Sequence, residues 1–185
     1  MKQLRAVVLS GLFIALEIVF TRLLSVAPNN FMRLGLGFLP VALAAATLGP
    51  LWGGAVGATA DALGAVLVAR APFHPGITVC ALLSGAAYGL FLHKKPKTAR
   101  RVILAALSVN AAFEVGLKTV WLSGLFGVPY AVALPYRLAQ AAIMLPVQAA
   151  CISLAWRYLG PYIEASVMPK VNARPPKAQL RRKRQ

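Results

Sequence analysis

Asn110, Glu114 and Lys118 recur every four residues inside an otherwise apolar run that extends to Trp121. At about 100° per residue this spacing sets all three along one side of a helix, with Trp121 close to the same stripe. In a bilayer each charged group on such a helix costs roughly 2.5–3.5 kcal/mol on insertion scales. The stripe therefore needs polar partners or a wet cavity, and the rest of the chain has to supply it.

The surrounding chain is that of a membrane protein. It is 59% hydrophobic with a mean hydropathy of +0.70, and only 13% of its residues are charged, about half the share usual in a soluble domain. The 185 residues suit one domain of about six spans of roughly 20 residues each. Apolar runs bounded by Gly, Pro and charge place helices at 4–24, 38–48, 52–69, 77–92, 102–122 and 131–159. The expected fold is an all-α membrane protein of six transmembrane helices in residues 1–160, followed by a basic, disordered tail at 161–185. The segment 25–37 reads as a loop. Lys2 and Arg5 ahead of an apolar run imitate a signal peptide, but Glu17 interrupts the run and Pro28 follows the small-residue site Ser25-Val26-Ala27. A retained first helix is the expectation.

The net charge of +16 comes from 20 Lys and Arg against four acids. Fifteen of those bases sit at Lys2 and Arg5, between Lys94 and Arg101, and from Arg157 to Arg184. That clustering is the positive-inside pattern, with both termini cytoplasmic, and it disfavours a nucleic-acid partner. The tail is expected to meet anionic membrane lipid. The remaining bases, Arg22, Arg33, Arg70, Lys118 and Arg137, fall in outer loops or the outer membrane half. Their placement opposes the topological bias, which points to function.

A second stripe, Arg137, Gln140, Met144 and Gln148, occupies one side of the last helix. Adjacent antiparallel helices would turn it toward Asn110, Glu114 and Lys118. Arg33 and His74 lie in outer loops that could close over the space, and Phe73, Trp121 and Tyr136 would supply aromatic walls. A positive, aromatic cavity suits a planar ligand carrying carboxylates. The plainer reading of each residue is an internal Glu114–Lys118 pair at i, i+4, with Arg137 at the headgroups. Asp61 reads first as a structural hydrogen-bonding group. On the first helix, Ala6/Ser10 and Gly11/Ala15 are small-residue pairs that permit close helix approach.

Catalysis finds no support. His-Glu-x-x-His, Gly-x-Ser-x-Gly, a phosphate-binding Gly-x4-Gly-Lys-Ser/Thr loop and paired metal-binding cysteines are all missing from the sequence, and Cys80 and Cys151 read as core thiols. No catalytic residue, metal or cofactor is expected, and any use of ATP requires a partner.

Several fragments occur in an order that resembles a known family: Arg-Leu-Gly-Leu-Gly-Phe-Leu-Pro at 33–40, Ala-Asp-Ala-Leu-Gly at 60–64, Phe-His-Pro-Gly at 73–76, Lys-Thr-Val-Trp-Leu-Ser at 118–123, and Leu-Pro-Tyr-Arg-Leu at 134–138 with Ile-Met-Leu-Pro at 143–146. They are similar to the folate-family substrate-binding (S) component of energy-coupling-factor (ECF) vitamin transporters. The resemblance implies a multi-pass protein of the bacterial plasma membrane that captures folate from outside. It implies delivery inward with a transmembrane coupling (T) component and two ABC ATPases. It also implies that Ala6, Ser10, Gly11 and Ala15 contact the T component, and that Glu114 could accept hydrogen bonds from a pterin. The chain departs from the family pattern at Lys118, where Asn is expected, and just after Gln140, where a lysine is expected. Another anionic vitamin or precursor, such as pantothenate, is the alternative ligand. A membrane assembly protein whose charges pair internally is the alternative class.

Overall fold

A computed structural model describes residues 2–29, 32–67, 73–95 and 98–167. Six helical rods and one β-hairpin account for nearly all of them. Helix α1 (Lys2–Ile18) runs on as a π-helical turn, Val19–Leu23, closed by Leu24 N–H reaching back to Val19 O. Strands β1 (Val26–Asn29) and β2 (Met32–Leu34) pair antiparallel, with Val26 opposite Leu34 and Asn29 opposite Met32. Then come α2 (Phe38–Leu48), α3 (Pro50–Leu67) and α4 (Pro75–Leu92). The fifth rod is composite: α5 (Ala99–Ser108), a π-helical stretch Val109–Leu117, and α6 (Lys118–Phe126). The sixth rod is α7 (Tyr130–Val167).

The expected loop at 25–37 is thus partly a hairpin. The expected end of the last helix near residue 159 is also exceeded, since α7 continues to Val167 and the proposed tail boundary falls within it. Residues 168–185, which hold most of the tail, and Arg70 lie outside the described residues.

Among the described residues, four helical segments are long and apolar enough to cross a membrane: Gln3–Leu23, Pro75–Leu92, Ala99–Phe126 and Tyr130–Tyr158. The other two rods differ for physical reasons. Helix α2 has 11 residues, about 16 Å at 1.5 Å per residue, against a hydrocarbon core of about 30 Å. It can be short because it is central. Pro40 to Thr47 are all buried, enclosed by α1, α3, α4 and α7. Helix α3 dilutes its apolar run with four glycines and Asp61.

Those glycines make the tightest contact of the bundle. A Cβ on Gly57 would stand 2.7 Å from Ala81 O on α4, and one on Gly53 would stand 2.8 Å from Gly85 O. Small residues let the two backbones meet where apolar lipid gives no hydrophobic drive to association. The apolar core lies on either side of α2. Ala42, Ala45, Tyr88, Leu92, Val102, Ala105 and Ile152 form one cluster, and Phe13, Leu43, Ala44 and Val56 form the other.

At the end of α2, Gly49 takes a positive φ of 107°, and the His93 ring packs against it. Helix α2 therefore fills the half of the bundle nearer His93. The opposite half, bounded by the hairpin and by Phe73 and His74, is hollow.

Candidate functional site

The hollow is a cavity of about 740 Å³, within the range of small-molecule sites. It is walled by all six rods and by the hairpin segment. The chain has four acidic residues, and three of them, Glu17, Asp61 and Glu114, line this one space beside Arg22, Arg33, Lys118 and Arg137. A chain so poor in acids has concentrated them at one place.

One wall is the expected pair of stripes. Asn110 and Glu114 lie in the π-helical stretch, where Lys118 N–H reaches back five residues to Phe113 O. Such wide turns are frequent at functional sites because they re-aim side chains. Lys118 Nζ donates to Glu114 Oε1 at 3.0 Å and Oε2 at 3.2 Å. Arg137, only 4% exposed, donates through Nη2 to Glu114 Oε2 at 3.0 Å and to Glu114 O at 2.6 Å. Its Nη1 donates to Gln140 Oε1 at 3.0 Å. That same oxygen accepts Arg33 N–H at 3.1 Å, which ties the hairpin to the charged wall. The internal Glu114–Lys118 pair and the inter-helix pairing foreseen as alternatives are both present.

The floor is neutral. Asn110 Nδ2 donates to Gln148 Oε1 at 2.5 Å and Ala106 O at 2.8 Å, and Tyr88 OH donates to Gln148 Oε1 at 3.4 Å. Ser84 also lines the cavity, and its buried hydroxyl has no partner among the described residues. A hydroxyl left so costs free energy until something bonds to it.

The opposite wall is one the sequence did not assemble. Arg22, buried in the π turn of the first rod, approaches Asp61 Oδ1 at 3.4 Å and Asp61 O at 3.3 Å. Gly64 leaves room for that guanidinium, since a Cβ there would stand 2.9 Å from Arg22 Nε. Thr78 OH donates to Asp61 Oδ2 at 2.8 Å, and Thr21 OH donates to Glu17 Oε1 at 2.8 Å.

Eight of the ten expected ligand residues line the cavity: Arg33, Phe73, His74, Asn110, Glu114, Lys118, Arg137 and Gln140. Trp121 and Tyr136 do not. The Trp121 indole packs on His74, with ring centroids 5.3 Å apart, and a Cβ on Gly76 would run into it. It buttresses the His74 segment from behind. Tyr136 lies on the exterior, 47% exposed, because one residue before Arg137 is about 100° away around the helix. His74 Nδ1 accepts Gly76 N–H at 3.1 Å, capping α4.

On α1 the two small-residue pairs separate. Ser10 is buried and donates to Ala6 O at 2.8 Å. Gly11 and Ala15 are exposed, with open space beside Gly11. Among the described residues no cluster of His, Cys, Asp and Glu could hold a metal.

A helical bundle with a charge-lined cavity of this size is suited to holding a small charged molecule. The comparisons agree. The family model "ECF-type riboflavin transporter, S component" matches residues 1–157. A folate transporter, FolT, of Clostridium novyi (strain NT) is 37% identical over 157 residues, 85% of this chain and 91% of that protein. A FolT of Leuconostoc mesenteroides is 32% identical over 119 residues, 64% of this chain and 63% of that one. The crystal structure of FolT bound with folic acid superposes with a TM-score of 0.77 at 35% identity, covering 85% of this chain and 93% of its own. The chain belongs to the ECF transporter S-component family.

Proposed function

We propose that the protein captures folate from outside the cell and delivers it inward as the substrate-binding subunit of an ECF transporter. The observation that carries this is the wall built from Arg33, Lys118, Arg137 and Gln140. Glu114 offsets one of those cations and leaves a surplus for a dicarboxylate such as the glutamate of folate. The family model is named for riboflavin, but riboflavin carries no carboxylate, and such a wall would be left without a counter-charge. The two FolT relatives and the folic-acid complex support folate.

In this reading the two rods α2 and α3 complete six spans, both termini are cytoplasmic, and the hairpin and the His74 segment face outward. That orientation puts the Lys94–Arg101 loop inside. The T component and two ABC ATPases supply the energy, and the exposed Gly11 and Ala15 on α1 give the T component a surface for close helix contact. Residence in the bacterial plasma membrane follows from this role.

Purified protein titrated with folic acid tests the reading. One-to-one binding is expected, weakened by about tenfold or more (1.4 kcal/mol per decade) in Arg137→Ala and in Arg33→Ala. No detectable binding of any folate would sink it.

A further inference from the structure

The cavity holds three carboxylates, and they are not equivalent. Both oxygens of Glu114 accept from Lys118, and Oε2 also takes Arg137. Asp61 gives Oδ1 to Arg22 and Oδ2 to Thr78. Glu17 alone has no cation within ion-pair distance among the described residues. Among them it has Thr21 on Oε1 and no hydrogen bond on Oε2. The Thr21 hydroxyl fixes the orientation of its carboxyl plane. Gly37 permits that arrangement, because a Cβ there would collide with Thr21 Oγ1 and come within 3.5 Å of Glu17 Oε1. A carboxylate on a membrane-crossing rod, oriented and half uncommitted, is a costly thing to keep without a use.

We infer that Glu17 is the residue that recognises the heterocycle, by accepting two parallel N–H bonds from a 2-amino-4-oxopyrimidine edge. This rests on the folate reading above and adds to it. The sequence had pointed to Glu114 for the role, but its oxygens are already engaged. The chemistry is selective. The edge of a pterin presents N3–H and the 2-amino N–H side by side, matching the two oxygens of one carboxylate. A flavin or other 2,4-dioxopyrimidine presents one N–H flanked by two carbonyl oxygens. Against a carboxylate, those carbonyls meet like partial charge, so the mismatch leaves buried acceptors facing each other. Glu17 thus separates pterins from flavins within a family whose model is named for riboflavin. The pterin lies against the α1 side and the glutamate against the α5–α6 and α7 side, so the ligand spans the cavity.

Equilibrium titration of the full chain in detergent tests this, with folic acid and its 2-oxo analogue, in which oxygen replaces the 2-amino group. Wild type should prefer folic acid by at least about a hundredfold, the scale of a site built to hydrogen-bond a group that the rival lacks. Glu17→Gln keeps the Thr21 contact and should lose about tenfold or more for folic acid while changing the 2-oxo analogue by less than about threefold, so the ratio collapses. Asp61→Asn should affect both ligands alike. Thr21→Val, which leaves the carboxylate but frees it, should weaken folic acid and keep the preference. An unchanged ratio in Glu17→Gln with tight wild-type binding overturns the Glu17 assignment alone. A wild-type chain that binds neither ligand overturns it together with the folate reading. Should Glu17→Gln fail to fold, a Thr21→Val protein that binds folic acid as tightly as wild type overturns the assignment equally.

Discussion

Glu114 shows how much of a residue's part its place in the sequence conveys. Its place on a stripe with Asn110 and Lys118 was legible because period and chemistry both stand out against an apolar background. Its role was not, because a sequence does not say which cation it meets. Arg137, 23 residues on, shares it with Lys118, so Glu114 holds two cations in position. Removing a charge from a buried cluster costs of the order of 3 kcal/mol, or roughly 6–12 °C in the midpoint of a chain this size. Glu114→Gln is therefore expected to melt about that much lower in detergent. Folic acid should raise its midpoint by more than it raises that of wild type, since ligand carboxylates take the place of the missing counter-charge. A variant that folate no longer stabilises would show that Glu114 touches the ligand itself. Glu17, Arg22 and Asp61 escaped notice as a group for a related reason. Arg22 and Asp61 are 39 residues apart, and periodicity registers only neighbours on one helix.

Element positions were mostly readable, and element character less so. Gly49-Pro50, the glycine-rich 53–57 region and the basic loop after Leu92 mark the rods cleanly, and α2 and α4 end within two residues of expectation. The π-helical turns at Val19–Leu23 and Val109–Leu117 were invisible, because a shift from i→i+4 to i→i+5 bonding leaves no mark in hydropathy. Yet these turns carry Thr21, Arg22, Asn110 and Glu114 into the cavity. The hairpin was missed because Pro28 and the Asn pair read as loop chemistry, while its stabilising contact, Arg33 N–H to Gln140, is distant in sequence. Helix α1 shows the opposite case, where a small-residue pattern was seen but its two faces were not told apart. Gly11→Trp fills the open side of α1. It should leave folic acid titration within about threefold of wild type while abolishing co-purification of the coupling and ATPase subunits. Retention of those subunits at wild-type levels would remove that face from the proposed interface.

The molecule as a whole is organised by a division of space. A short central helix packs one half of the bundle, and the other half is left open and given three of the chain's four acids. Six apolar rods and the clustering of basic residues were evident from composition and charge alone, and the family was evident from ordered fragments. The cavity's two unlike walls were not, since they depend on which rods meet. In the proposed reading the walls together suit a ligand with an aminopyrimidone at one end and carboxylates at the other. Mass spectrometry of the small molecule released from freshly purified protein tests that description most directly. A pterin bearing glutamate, near one per chain, is the expected result. A flavin or pantothenate released in that amount would contradict it.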